Sequence, residues 1–230
     1  MDRGIWALWY GIDAADRRDY YGWFHEVHIP EKLSRPGYLW AAHYELEGDG
    51  GFVAMFGAET AYIFLAPSPA QLKDRQSEET RRFMALRRDP ASAILTEETR
   101  VDGPDKALRG PGGTTGPVIQ LGHYDATGPD VEDDLGAWYA QERLPLLATL
   151  PGCIGARKML ATVGVYKHAI LHEFASIEAR EHHFGPHEAQ ARDPNTWMGR
   201  VRPRLKHAPR SPMVGMRVSP PISEAAHPTP

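Results

Sequence analysis

Histidines and tyrosines of the N-terminal half carry the chemistry this sequence offers. His28 stands at the end of an apolar run, two residues before Pro30. His43 lies inside a second apolar segment with Tyr44 beside it, and Tyr10 lies near the end of the first such segment. An imidazole titrates near pH 6.5, so at the edge of an apolar pocket it can take a proton and return it at cellular pH. A tyrosine hydroxyl beside it can orient a substrate oxygen or pass a proton on. The bland readings are equally physical. A histidine before proline can cap the last carbonyls of a helix, a strand histidine can be a satisfied core group, and tyrosines pack with their hydroxyls at the rim. His25, three residues before His28, reads as solvent-facing.

Other chemistries find little support. The 11 histidines invite a metal site, but Gly185-Pro186 interrupts the spacing that would set His183 beside His187. His168 and His172 share a strand face with no acidic ligand at a diagnostic interval, so no metal is expected. The single cysteine, Cys153, reads as a small packing residue. No phosphate-binding glycine loop and no G-x-S-x-G elbow occurs. A net charge of −4 from 26 basic and 30 acidic residues leaves no basic stripe for nucleic acid and no cationic face for a membrane. Without a leader pattern or 18 consecutive apolar residues, the expected location is the cytoplasm.

The elements that must position these residues follow from periodicity. Residues 4–13 (GIWALWYGID) are apolar on both strand faces, which fits a strand covered from both sides. A helix over about 15–28 follows, then a short turn at 30–34, since proline is harmless at a first helical position. The Pro36-Gly37 turn leads to a strand over 38–47, where Tyr38, Trp40, Ala42 and Tyr44 alternate with Leu39, Ala41 and His43. Residues 48–60 read as a glycine-rich, irregular extension and 61–66 as the third strand. Ser68-Pro69 reads as a capped start of a helix running to about 87, and 94–101 as the fourth strand.

The same order then recurs. Pro30 aligns with Pro145, 115 residues on, and the match carries Trp23 onto Trp138, Phe24 onto Tyr139 and Pro36-Gly37 onto Pro151-Gly152 without a gap. Strands are expected at 118–126, 153–161, 165–174 and 212–218, with helices at 133–143, from 177, and an amphipathic segment at 196–207. Arg192-Asp193-Pro194 echoes Arg88-Asp89-Pro90 at a shorter offset, which assigns the extra residues of the first repeat to 48–60. The chain thus divides into a ferredoxin-like βαββαβ repeat at 1–102, a linker at 103–117, a second such repeat at 118–218 and a disordered proline-rich tail at 219–230.

Trp23…His28-Ile29-Pro30-Glu31…Pro36-Gly37-Tyr38 resembles the EthD-like group of the dimeric α+β barrel superfamily, in its tandem form. The resemblance implies an α+β fold, two ferredoxin-like sheets packed face to face as one barrel with helices outside. It also implies reactions run without a cofactor, from isomerisation and bond cleavage to oxygenation, although some relatives in the wider superfamily bind haem. The group's pattern has an acidic residue just before the histidine, and this chain splits it, with Val27-His28 in one repeat and Glu142-Arg143 in the other. The first repeat is therefore the expected reactive half, and the second a structural half or a substrate clamp through Arg143.

The expected function is a cofactor-independent lyase or isomerase acting on a small aromatic or polyketide-like substrate enclosed by the barrel, including loss of a carbonyl fragment by retro-aldol or elimination chemistry. His28 and His43 would be its bases and Tyr10 and Tyr44 its donors, with Trp9, Trp23, Phe24, Tyr38, Trp40, His123 and Arg143 around the substrate. The alternatives are a cofactor-free or haem-dependent monooxygenase of phenols, and a non-catalytic protein that binds hydrophobic ligands. A further homodimer is left open.

Overall fold

A computed structural model describes residues 2–48, 51–110 and 113–221. Eight antiparallel strands close into a barrel. They are β1 (Gly4–Gly11), β2 (Tyr38–Leu46), β3 (Gly51–Ala58), β4 (Arg88–Asp102), β5 (Val118–Ala126), β6 (Cys153–Val163), β7 (His168–Phe174) and β9 (Met213–Ser219). Around the barrel the order is β1-β3-β2-β9-β5-β7-β6-β4, while the short β8 (Leu205–His207) pairs with the end of β5. Each half supplies one four-stranded sheet of the ferredoxin-like order, and the halves join at β4–β6 and β2–β9. This is the dimeric α+β barrel within a single chain. No helix among the described residues is long and apolar enough to cross a membrane.

Strand alternation sorts the side chains. Ile5, Ala7 and Trp9 of β1 join Trp40, Tyr44, Met55 and the second repeat's Leu121 and Leu171 inside the barrel. Trp6 and Tyr10 point the other way, into an aromatic layer with Phe24, Phe52 and Phe56 beneath the helices. The interior also holds charge. Arg157 is fully buried between Asp2 (2.6 Å) and Glu173 (3.4 Å), and Glu173 accepts the Gly116 N–H at 2.8 Å. Thr114 and Thr115, in the glycine- and proline-rich segment between the repeats, are accordingly buried rather than loose.

Helices cover the outside. In the first repeat α1 (Arg17–Trp23) runs through a wide turn, Phe24–His28, into α2 (Ile29–Leu33). α3 (Pro69–Lys73) and α4 (Glu78–Ala85) follow. In the second repeat α5 (Pro129–Trp138) passes through Tyr139–Arg143 into α6 (Leu144–Leu147), and α7 (Ile177–Ala179) through Arg180–Phe184 into α8 (Gly185–Ala189). α9 (Trp197–Val201) completes the layer. All three wide turns stand just before an X-Pro pair, and in each the N–H of X reaches five residues back: Ile29 to Phe24, Leu144 to Tyr139, Gly185 to Arg180. Proline lacks the N–H and crowds the carbonyl four residues before it, so the preceding turn opens to π geometry.

Several expectations are corrected. The third strand is Gly51–Ala58, not 61–66, where Ala61–Phe64 forms a short 3-10 turn instead. The extra residues of the first repeat therefore follow β3. Arg88-Asp89-Pro90 opens β4 whereas Asp193-Pro194 precedes α9, so that echo is not structural. The helix expected over 68–87 is two, because Ser77 caps a second start by accepting the Thr80 N–H at 3.1 Å. The second repeat's first helix begins at Pro129 rather than 133. A register shift between Tyr38 and Trp40 breaks the expected alternation, and Tyr38 packs with Phe56 and Phe64 on the helix side. Ser219 belongs to β9, and the tail expected beyond it falls outside the described residues from 222 onward.

Gly57 shows how tightly β2 and β3 are matched, since a Cβ there would lie 2.0 Å from Trp40 Cε2. Gly57→Ala is expected to cost about 3 kcal/mol, at the high end for overpacking. Gly136→Ala, in open space on α5, is expected to stabilise by up to about 1 kcal/mol. Urea unfolding of the two variants checks both signs.

Candidate functional site

The aromatic layer of the first repeat encloses a cavity of about 520 Å³ between the outer face of β1 and the helices. Trp6, Leu8, Tyr10 and Phe56 form its floor, with Leu72 and Met84 among its other walls. His28, Lys32 and Arg87 line it, with Lys73 and Arg81 also contributing, and among the described residues no aspartate or glutamate does.

A hydrogen-bonded chain leads away from this cavity. Tyr10 Oη lies 3.0 Å from His43 Nε2, and His43 Nδ1 lies 2.9 Å from His25 Nε2. With Tyr10 donating to His43, His43 Nδ1–H donates to His25, whose remaining nitrogen carries the last proton. His43 is wholly buried among Phe24, Phe52 and Tyr10, whereas His25 is only half-buried. Burial, then His25 and Arg87, hold His43 well below its ordinary pKa, and burial lowers His25 against the opposing pull of Glu26. Burial also pushes the Tyr10 phenol well above 10. All three groups therefore rest neutral.

The wide turn sets His28 against Trp23 and Phe24, with ring centroids 4.7 and 5.4 Å away, and its Nδ1 has no partner. Burial first, then Lys32, Arg87 and Arg35, push it down to about 2. Arg87 donates from Nε to Tyr20 Oη at 2.8 Å and lies 4.2 Å from the Tyr10 ring centroid, leaving Nη2 unpartnered. Lys32 is buried without a hydrogen-bond or ion-pair partner among the described residues, and burial and Arg35 lower it to about 8.

Of the residues expected at the site, the structure brings together Tyr10, His28, His43, Trp23 and Phe24. Trp9 touches both this cavity and a second one, and the others are elsewhere for reasons of parity and repeat. Tyr44 faces the barrel interior, where it is 2.6 Å from Thr115 Oγ1 and donates to the Gly116 carbonyl at 2.7 Å. Trp40 also faces inward and donates to Asp2. Trp9 stacks on His123, centroids 5.4 Å apart, beside a second cavity of about 380 Å³ that also touches Tyr166 and Met213. Tyr38 packs against Phe64, away from the hydrogen-bonded chain. Arg143 serves the second repeat. The 520 Å³ cavity thus lies outside the barrel interior, and His25, expected to face solvent, is half-buried and hydrogen-bonded to His43. Lys32, four residues after His28, carried a positional signal; Arg87 and Tyr20 carried none.

The second repeat fills the matching space with its own side chains. Arg143, at the place of His28, pairs with Glu188 and lies over the Phe184 ring at 4.3 Å. Glu188 also meets Arg202 at 3.3 Å and accepts from Gln120. Burial would raise Glu188, but Arg143 and Arg202 outweigh it and hold it at about 2. About 40 Å³ of cavity remains, room for little more than water.

No protein-family model matches the chain, and no curated protein sequence does. Solved structures match it in fold. An anthrone oxidase-like protein is 14% identical, with a TM-score of 0.57 over 95% of this chain and 92% of its own. A candidate chlorite dismutase is 16% identical, at 0.58 over 95% and 96%. A haem-binding protein from Thermus thermophilus is 11% identical, at 0.53 over 95% and 92%. These likenesses are of fold. A haem does not fit the second repeat, where His172 has both ring nitrogens unpartnered but meets only the 40 Å³ space beside Arg143 and Glu188. Among the described residues no group of three or more His, Cys, Asp or Glu is placed to hold a metal ion.

The neutral histidines set a pH dependence. The unfolded chain takes up protons below 6.5 that His28 and His172 refuse until about 2 and about 3, so stability is full above 6.5 and falls as pH drops. Each contributes a slope of up to about 1.4 kcal/mol per pH unit. His28→Gln is expected to flatten the decline between pH 6.5 and 4 in urea titrations; an unchanged slope would show that His28 does protonate in the folded state.

Proposed function

We propose that the chain is a cofactor-independent oxygenase of an electron-rich phenolic or polyketide-like aromatic, of the EthD-like kind that the Trp23–Tyr38 motif resembles. The observation that carries this reading is the Tyr10–His43–His25 chain, which joins a cavity walled by aromatics and cations to a half-exposed histidine. The shared fold with an anthrone oxidase-like protein supports it.

The substrate's acidic C–H or O–H gives its proton to Tyr10 as Tyr10 passes its own to His43 and His43 Nδ1–H passes to His25. The positive charge arrives where Glu26 favours it and burial is least. The anion left behind is stabilised by the positive potential of the cavity, to which Lys73 and Arg81 contribute along with Lys32 and Arg87. His28 is a poor base here because burial, and then Lys32 and Arg87, oppose its charging, and its role is to accept a hydrogen bond from the substrate hydroxyl. Dioxygen takes an electron from the anion, the radicals join as a peroxide at carbon, and loss of water leaves a carbonyl. A CH₂ group plus O₂ gives C=O plus H₂O, with the relayed proton returning to the departing hydroxide.

1,8-Dihydroxyanthrone is a suitable probe. Oxygen uptake above the buffer background should match quinone formation one to one and stop under argon. Tyr10→Phe and His43→Gln should each lower kcat by about 100-fold or more, the usual scale of acid–base catalysis. Turnover that continues under argon would instead establish the lyase or isomerase reading, and tight retention without chemistry would establish a binding protein.

A further inference from the structure

A buried cation without a counter-ion is costly, and proteins pair such groups. Here Arg143 has Glu188, Arg157 has Asp2 and Glu173, and Lys158 has Glu98, while Arg217 is held by the Thr115 carbonyl. Lys32 and Arg87 are the buried cations left with neither a carboxylate nor a carbonyl among the described residues, and both line the 520 Å³ cavity.

The second repeat shows what completes such a site. Arg202 follows α9 as Arg87 follows α4, and Arg143 holds the place of His28, one turn before Lys32. Between the two second-repeat cations sits one carboxylate, Glu188, reached by Arg143 and by Arg202 at 3.3 Å. The first repeat keeps two cations and open space in place of that carboxylate.

We propose that the first-repeat cavity binds an aromatic carboxylic acid, whose carboxylate sits between Lys32 and Arg87 as Glu188 sits between Arg143 and Arg202. The ring lies on Trp6 and Phe56, and the permanent charge anchors the molecule while a separate acidic position meets Tyr10. This rests on the cavity of the reading above but not on its oxygen chemistry.

The probes are 2-naphthoate and 2-naphthamide, alike in shape and different in charge, titrated calorimetrically into the full chain at pH 7. The acid should bind at least 10-fold more tightly. That gap should shrink to within about 3-fold, the scale of lost exposed pairing, in Lys32→Met and in Arg87→Met. Lys32 holds no partner among the described residues, so Lys32→Met should fold and melt higher than the parent without ligand, which keeps the test valid if Arg87→Met, robbed of Tyr20 and Tyr10, fails to fold. Equal affinity for acid and amide, binding of neither, or a gap that survives both substitutions overturns the proposal. Preference for the acid without any oxygen uptake would sustain this inference while sinking the oxygenase, and the reverse pattern would do the opposite.

Discussion

Strands such as Gly4–Gly11 are apolar on both faces, and neither face tolerates water. One face is covered by helices of the same repeat. The other has nothing to meet except a second sheet, and closure of eight strands removes both that wet face and the free edges. Everything else is placed by this closure. Because neighbouring residues on a strand face opposite ways, it divides each repeat's aromatic side chains between a shared interior and a private outer layer. Tyr10 and Trp9, adjacent in sequence, consequently make their ring contacts on opposite sides of the sheet, with Trp9 stacked on His123 and Tyr10 bonded to His43.

The two halves share this plan and differ in how they fill it. The two outer layers share the proline-driven wide turn, which delivers residue 28 in one repeat and residue 143 in the other to the same position. In the second repeat an arginine, a glutamate and a phenylalanine close the space. In the first, histidine, lysine and arginine surround a void. The filled half reads as a completed version of the open one, so one chain holds both a closed and an open form of the same layer.

Much of this arrangement was legible. The repeated Trp, Pro and Pro-Gly at a constant spacing located β1, β2, β5 and β6 and the helices between them, and Ser68-Pro69 marked a true cap. Gly51–Ala58 was illegible because both its faces are apolar and glycines flank it, a pattern shared by loops and by strands buried on two sides. The contact of His25 with His43 was hidden by the turn itself, because a π turn moves side chains around the axis relative to 3.6-residue spacing. Tyr44 was placed beside its neighbour His43 although the two face opposite ways, and only the closed barrel decides which of two adjacent strand residues faces outward. Lys32 and Arg87 were unread because what distinguishes them is the lack of a carboxylate partner among the described residues, and a sequence does not display an absence of contact.

The junctions of the barrel have a consequence for biosynthesis. β2 and β4 find their outer partners only in β9 and β6, so the first sheet keeps an uncovered inward face and two free edges while the second is being made. Local pairing within residues 4–102 can form early, yet the step that removes water from Trp9, Trp40 and Met55 waits on strands that lie far downstream. Such distant pairing is slow, and the waiting species is prone to associate with its like. For a nascent chain, the most dangerous surface is therefore the one that ends as the driest interior, and its natural temporary cover would be a chaperone or a neighbouring copy's sheet.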